Sequence, residues 1–229
     1  MNSPLYARIT AEFLGSAFLL AAVVGSGIMA DRLSGGNVAL TLLANSVATG
    51  AALAALILTF GSISGAHFNP LVTLVEAMRG RTAWRDVPAY MAAQISGAFG
   101  GVATAHLMFS LPLFVASRHV RNGFGLLCSE FIATLGLLLV VWGSSRARPA
   151  VAPFAIGAYI AAAYWFTAST SFANPAVTVA RAASDTFAGI RPADVPAFIG
   201  AQLAGALVAT VLFSWLAPTR RDPIGARNS

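Results

Sequence analysis

Long uncharged stretches alternate with short charged segments along the 229 residues of the chain. Runs without an acidic or basic residue cover 13–30, 33–66, 87–117, 131–145, 149–180 and 195–218. Because a membrane-spanning helix needs about 20 apolar residues, the pattern predicts six spanning helices and leaves surplus sequence after the second and the fifth. The first run exceeds the apolar core of a signal peptide, about 7 to 15 residues, and we interpret it as part of the fold.

Both surplus segments contain an Asn-Pro dipeptide. The two copies are Asn69-Pro70-Leu71 and Asn174-Pro175-Ala176. Asn is a preferred helix N-cap and Pro suits the first helical position, so each copy predicts a short half-helix, at 70–79 and 175–183. A helix that begins inside the hydrocarbon region leaves unpaired backbone groups, which need a water-filled cavity beside them. Two such starts indicate a pore or a substrate site at the middle of the membrane.

The two halves of the chain repeat each other. Matching residues recur at matching places, namely Glu12 with Glu130 and Gln94 with Gln202. The chain is therefore interpreted as one domain, 1–229, with repeats at about 7–113 and 123–216 and a polar tail at 217–229. Each repeat holds three spans and one half-helix. Since three is odd, the repeats enter the membrane from opposite sides.

Charge and composition narrow the class of protein further. With 57% hydrophobic and 10% charged residues, the chain cannot cover an ordinary soluble surface. The basic residues are all arginine, and cytoplasmic termini place nine of the fourteen inside the cell. These nine are Arg8, Arg79, Arg81, Arg85, Arg146, Arg148, Arg220, Arg221 and Arg227. Because the arginines lie at span ends and form no basic stripe, no nucleic-acid partner is predicted.

Several kinds of chemistry are not predicted. The single cysteine, Cys128, excludes an internal disulfide and a thiolate metal cluster. His106 and His119 have no nucleophile or carboxylate constellation near them in the predicted arrangement. We therefore expect no cofactor, no metal site and no enzymatic activity.

The doubled Asn-Pro box, the glutamate that opens spans one and four, and Gln-x-x-Gly in spans three and six resemble the major intrinsic proteins, the aquaporins and aquaglyceroporins. The resemblance extends over roughly residues 7–216. It implies an all-α polytopic membrane protein of six transmembrane helices and two re-entrant half-helices, arranged as an inverted repeat around one pore. It also implies homotetramers in the lipid bilayer, here a bacterial inner membrane, with Asn69 and Asn174 turning amide N–H groups into each pore.

Two carboxylates inside the membrane have alternative interpretations. Glu12 and Glu130 are either proton relays of a transporter or acceptors for the backbone of the loops that precede the half-helices. Their symmetric placement, one in each repeat, favours the loop-supporting role. His67 precedes the first box, and we expect its backbone carbonyl rather than its ring to contact the pore.

The outer constriction of the resembling family maps onto four positions of this chain. Counting from the asparagines gives Thr49, Ala162, Ser171 and Val177. The family usually carries larger side chains at the first two and arginine at the last, so the resemblance implies a wider and less positive filter. The count to Ala162 assumes no insertion before the second box. The alternative is that an aromatic residue among Tyr164, Trp165 and Phe166 turns inward instead.

Arg181 is a candidate for the outer mouth of the pore. It shares one predicted helix face with Asn174 and Val177, about 6 Å farther out than Val177. A cation there would attract anions and the weak oxyacids in equilibrium with them. The alternative is an ion pair with Asp185, four residues farther along.

The resemblance is nearest to bacterial aquaglyceroporins associated with arsenic-resistance genes. It implies a passive channel for small neutral solutes, namely glycerol-like polyols, water, arsenous acid and methylated arsenicals. A water channel with relaxed selectivity is the alternative within the class. A proton-coupled transporter using Glu12 or Glu130, and a scaffold protein with a vestigial pore, are the alternatives outside it.

Overall fold

A computed structural model describes residues 3–217. Its α-helices are α1 (Leu5–Leu33), α2 (Val38–Ser64), α3 (Pro70–Met78), α4 (Val87–Met108), α5 (Phe124–Ala147), α6 (Ala152–Phe166), α7 (Pro175–Arg181) and α8 (Val195–Leu216). Single 3-10 turns, Trp84–Asp86 and Pro192–Asp194, precede α4 and α8. The predicted tail, with Arg220, Arg221 and Arg227, lies outside the described residues apart from its first residue, Ala217.

Within the described part of the chain, four helical segments are long and apolar enough to cross a membrane, namely α1, α2, α5 and the segment Pro192–Leu216 that contains α8. The remaining two spans are less uniform. Helix α4 has 22 residues, about 33 Å at 1.5 Å per residue, but carries polar groups such as Gln94 and His106. Helix α6 has only 15 residues and is continued by an extended loop to α7.

The packing repeats between the two halves, as the sequence predicts. Helix α1 packs on α4 in the first half and α5 packs on α8 in the second, while α2 contacts α6 across the two halves. Small residues permit these approaches. A Cβ added to Gly50 of α2 would lie 2.6 Å from the backbone oxygen of Gly157 in α6, so the two helices meet at backbone distance there.

The half-helices are shorter than predicted. Helix α3 ends at Met78 rather than 79, because the chain turns at Gly80, whose φ is 73°. Helix α7 ends at Arg181 rather than 183. The two half-helices contact each other. Their N-terminal asparagines therefore lie inside the bundle, away from both of its ends.

Candidate pore

Two irregular loops lead into the half-helices, and both have strained backbones. Five residues in them have positive φ although none is glycine: Ala66 (50°), Phe68 (48°), Thr170 (62°), Ser171 (51°) and Ala173 (48°). This left-handed conformation costs a residue with a side chain roughly 1–2 kcal/mol. Side chains elsewhere in the fold must therefore hold both loops in place.

Glu12 holds the first loop. Its Oε1 accepts hydrogen bonds from Ser64 Oγ at 2.6 Å and from the amide of His67 at 2.9 Å. Its Oε2 accepts from the amide of Phe68 at 2.7 Å and from Gln94 Nε2 at 2.8 Å. A fully buried carboxylate thus receives four donors, two of them from the loop backbone.

Glu130 holds the second loop in the same way. It accepts from the amides of Phe172 and Ala173, both at 2.9 Å, and from Gln202 Nε2 at 2.6 Å. Neither glutamate lies among the residues that line the central cavity. The geometry therefore gives both carboxylates loop contacts and places them behind the lining.

Asn69 and Asn174 face each other where the half-helices meet. Each Oδ1 caps its own helix, at 2.9 and 3.0 Å from the amide two residues ahead. Asn69 Nδ2 donates to the carbonyl of Ala173 at 2.8 Å, and Asn174 Nδ2 donates to the carbonyl of Phe68 at 2.7 Å. Both side chains line the cavity. Since an amide carries two N–H groups, each asparagine retains one that no described residue accepts.

A cavity of about 640 Å³ passes these asparagines and extends toward both ends of the bundle. Much of its wall is apolar, with side chains such as Leu19, Leu53, Ile57, Leu137 and Ile156. Pro70, Leu71, Pro175 and Ala176 of the two boxes are not part of the lining. His67 lines the cavity, and its Nδ1 lies 3.0 Å from Thr73 Oγ1.

Three of the four predicted filter residues line this cavity: Thr49, Ser171 and Val177. The prediction for Ala162 is wrong. Ala162 is exposed on the outside of the bundle, while Tyr164 is buried in the lining and donates to Thr49 Oγ1 at 3.3 Å. Two residues along an α-helix turn the side chain by about 200°, so Ala162 and Tyr164 point in nearly opposite directions.

Arg181 also lines the cavity, with 2% of its surface exposed. The alternative ion pair with Asp185 is not formed. Because α7 ends at Arg181, the helical spacing to Asp185 does not apply, and that carboxylate instead accepts from Arg118 Nε at 2.9 Å. Hydrogen bonds from the Arg118 backbone and side chain lower the pKa of Asp185. Arg181 Nε donates to the carbonyl of Ala188.

A loop between helices also positions the Arg181 end of the cavity. Arg121, in the loop before α5, donates to the carbonyls of Gly189 at 2.7 Å and Ser169 at 3.1 Å. Its guanidinium carbon lies 5.0 Å from the centre of the Phe172 ring. Burial lowers the pKa of Arg121 to about 10, which leaves it cationic at neutral pH. It therefore fixes the loop that carries Ser171 and Phe172.

The polar groups at the other end of the cavity were not predicted from the sequence to line it. Glu76, Arg81 and Trp142 line it there. Glu76 accepts from Trp142 Nε1 at 2.9 Å and lies 3.5 Å from Arg81 Nη1. The sequence does contain a signal for Glu76. It follows Asn69 by seven residues, as Arg181 follows Asn174, so the same face of each half-helix carries a charged residue.

The sequence pattern that describes the major intrinsic proteins matches residues 2–171 of the chain. The chain belongs to this family. Among related major intrinsic proteins, Aquaglyceroporin AqpS of Rhizobium meliloti (strain 1021) is 51% identical over 217 residues, covering 95% of this chain and 93% of that protein. Aquaporin NIP1-3 of Oryza sativa subsp. japonica is 34% identical over 190 residues, covering 78% of this chain and 65% of that protein.

A solved structure shows the same architecture. The aquaglyceroporin from Plasmodium falciparum superposes with a TM-score of 0.68 at 19% identity, covering 92% of this chain and 96% of that one. This likeness and the helices described above confirm the predicted fold class of a major intrinsic protein. The protein is an integral membrane protein.

Proposed function

We propose that the protein is a passive channel for small neutral solutes. The observation that carries the proposal is the pair of asparagine amides facing each other in the cavity, each with one N–H that no described residue accepts. A hydroxylated solute passing this point can accept hydrogen bonds from both. The many apolar side chains of the wall offer no hydrogen bonds between the polar groups, so a neutral solute is not held tightly along those stretches.

The small outer residues support a range of solutes beyond water. Thr49, Ser171 and Val177 themselves present no large or charged side chain to the cavity. Glycerol-like polyols, arsenous acid and methylated arsenicals are the solutes we propose. Arsenous acid fits the same donors because at neutral pH it is an uncharged trihydroxy molecule. The similarity to a protein named an aquaglyceroporin supports the polyols.

A water channel with relaxed selectivity is the second candidate. Tyr164 favours it, because its ring projects into the outer part of the cavity and its hydroxyl bonds to Thr49. By contrast, Glu12 and Glu130 lie behind the lining with their oxygens engaged, so they offer no path for a proton-coupled transporter.

We further propose that homotetramers of this channel lie in the bacterial inner membrane with cytoplasmic termini. The orientation follows from the excess of arginines in the segments assigned to the cytoplasm. The surface is suited to lipid or to neighbouring subunits. An exposed apolar strip on α8 includes Leu207, Val208, Val211 and Trp215.

The test is flux through purified protein in liposomes. Vesicles with and without the protein are exposed to gradients of water, glycerol, urea and arsenous acid, and volume or solute uptake is recorded. We expect faster equilibration of glycerol and arsenous acid, with no accumulation above equilibrium when a pH gradient is imposed. Absence of all flux would support the scaffold alternative, and accumulation driven by a pH gradient would support the transporter.

A further inference from the structure

The residues of the two half-helices that line the cavity have the same spacing, but the last one is acidic in the first half-helix and basic in the second. Asn69, Val72 and Glu76 of the first half-helix line it, and Asn174, Val177 and Arg181 of the second line it at the same spacings of three and seven residues. Because the half-helices meet at their N-termini, Glu76 and Arg181 lie toward opposite ends of the cavity.

The two charges differ in how they are neutralised. Glu76 accepts from Trp142 Nε1 and lies 3.5 Å from Arg81, so its charge is paired. Among the described residues, Arg181 forms no ion pair. The acidic residue nearest to it along the chain, Asp185, is occupied by Arg118 at 2.9 Å.

The guanidinium of Arg181 is held in one place by uncharged groups. Its Nε donates to the carbonyl of Ala188, and its central carbon lies 3.4 Å from the centre of the Phe172 ring. Stacking of this kind restricts the plane of the guanidinium. Arg121 lies against the same ring and anchors the loop that carries it.

Most donors of Arg181 are left unused. A guanidinium has five N–H groups, and no described residue accepts from Nη1 or Nη2. A buried cation without a counter-charge is costly unless its donors are satisfied, and charged residues inside membranes characteristically face a water-filled path. Ser171 Oγ, also buried in the lining, has no described hydrogen-bond partner. These donors converge on the outer part of the cavity.

We propose that Arg181 is a specificity-determining residue of the pore. Its free N–H groups bind the oxygen atoms of hydroxylated solutes and small oxyacids, and its uncompensated charge excludes small cations. The position of Arg181 lies about one helical turn, or about 6 Å, outward of Val177. The inference rests on the proposed channel function and adds the solute class that the outer part of the pore favours, namely oxygen-rich neutral or anionic molecules over ammonium-type cations.

The test compares charge selectivity in liposomes near neutral pH. Permeabilities to glycerol, to methylammonium and to formate are measured for the wild type, Arg181→Gln and Arg181→Lys. For Arg181→Gln we expect the ratio of methylammonium to glycerol permeability to rise about tenfold or more, because the repulsion of the cation is lost. The ratio of formate to glycerol permeability should fall. Arg181→Lys should keep both ratios near those of the wild type.

Arg118→Gln is the matched control. It removes an arginine from the same side of the protein, but one that is exposed and outside the cavity lining. Its ratios should equal those of the wild type. An equal effect of Arg118→Gln and Arg181→Gln would overturn the inference by showing that only diffuse surface charge matters.

The wild type alone supplies a second test if Arg181→Gln does not assemble. A wild-type channel that passes methylammonium as readily as formate would overturn the role of Arg181 and leave the neutral-solute channel standing. Unchanged ratios in an assembled Arg181→Gln variant would do the same. A wild type that passes no glycerol would overturn both the channel function and this inference.

Discussion

Asn69 and Asn174 each use one amide group for two purposes, a helix cap and a bond to the opposite loop. The side-chain oxygen caps the helix and the side-chain nitrogen donates to the opposite loop, so different substitutions can remove one role or both. Asn174→Asp keeps the capping oxygen and removes the donor, whereas Asn174→Ala removes both. The same pair of changes applies at Asn69.

We predict that both alanine variants lower thermal stability and solute flux, since loss of an N-cap costs about 1 kcal/mol. The aspartate variants should retain more stability than the alanine variants while losing flux, because they lack the donor. Thermal unfolding in detergent and flux in liposomes measure the two effects. Normal flux in well-assembled alanine variants would show that the asparagine amides do not orient solutes.

The size of the side chains at Thr49, Ser171 and Val177 is expected to set which solutes pass the outer part of the cavity. Val177→Arg and Thr49→Phe should slow glycerol more than water, because each fills space in the lining. Ala162→Phe is the matched control for Thr49→Phe, since it adds the same ring on the exposed side of α6. It should leave the ratio of glycerol to water permeability unchanged. An unchanged ratio in both lining variants would contradict the wide filter.

The error at Ala162 shows where counting from a motif fails. A fixed distance to Asn174 specifies a position in the chain, but the direction of the side chain depends on the rotation of α6. Ile156, Ile160 and Tyr164 all line the cavity, and their spacing of four residues marks one helix face. That spacing was visible in the sequence and would have selected Tyr164. The shorter count to Val177, only three residues from Asn174, ends on a residue that lines the cavity.

At the scale of elements, helix starts were more predictable than helix ends. The Asn-Pro boxes give the first residues of α3 and α7 correctly, because cap chemistry is local. The uncharged run 149–180 gave no sign that α6 stops at Phe166. The loop that follows α6 is held by Glu130, which accepts from two loop amides 42 and 43 residues away in sequence and stabilises a strained backbone.

Helices α4 and α8 each pack closely on a neighbouring helix at a glycine, so a larger residue there should destabilise the fold. A Cβ on Gly97 would collide with the backbone oxygen of Phe13 in α1, and one on Gly205 with the backbone oxygen of Phe131 in α5. Each alanine substitution should therefore destabilise the fold by roughly 1–3 kcal/mol, because a backbone atom must move. Thermal unfolding in detergent measures the effect.

Gly143→Ala is the control, since no atom lies within 4 Å of a Cβ built there. It should leave the unfolding temperature unchanged or raise it, because alanine favours a helix over glycine by roughly 0.5–1 kcal/mol. Similar losses in all three variants would argue against close helix contact as the cause.

At the scale of the whole molecule, the sequence predicted the repeat and the presence of a pore, but not the full set of residues that line it. Duplicated motifs such as Glu12 with Glu130 reveal two equivalent halves along the chain. The lining depends on how the halves are placed against each other. The residues missed in it include Glu76 and Trp142, whereas Tyr164 was named only as an alternative to Ala162. The repeat accounts for the equal spacing of lining residues in the two half-helices, which differ in charge at Glu76 and Arg181.

If solutes pass through this cavity, a mercurial reagent should block flux only where it reacts with a thiol in the lining. Cys128 is exposed near the start of α5 and is absent from the cavity lining, so reaction there should not obstruct flux. The native channel should therefore resist block. Ser171→Cys should become sensitive, because it places a thiol in the outer lining. Glycerol flux before and after treatment, with reversal by a thiol reductant, measures the block. If the native channel were blocked and Cys128→Ser removed that block, solutes would have to pass by a route other than this cavity.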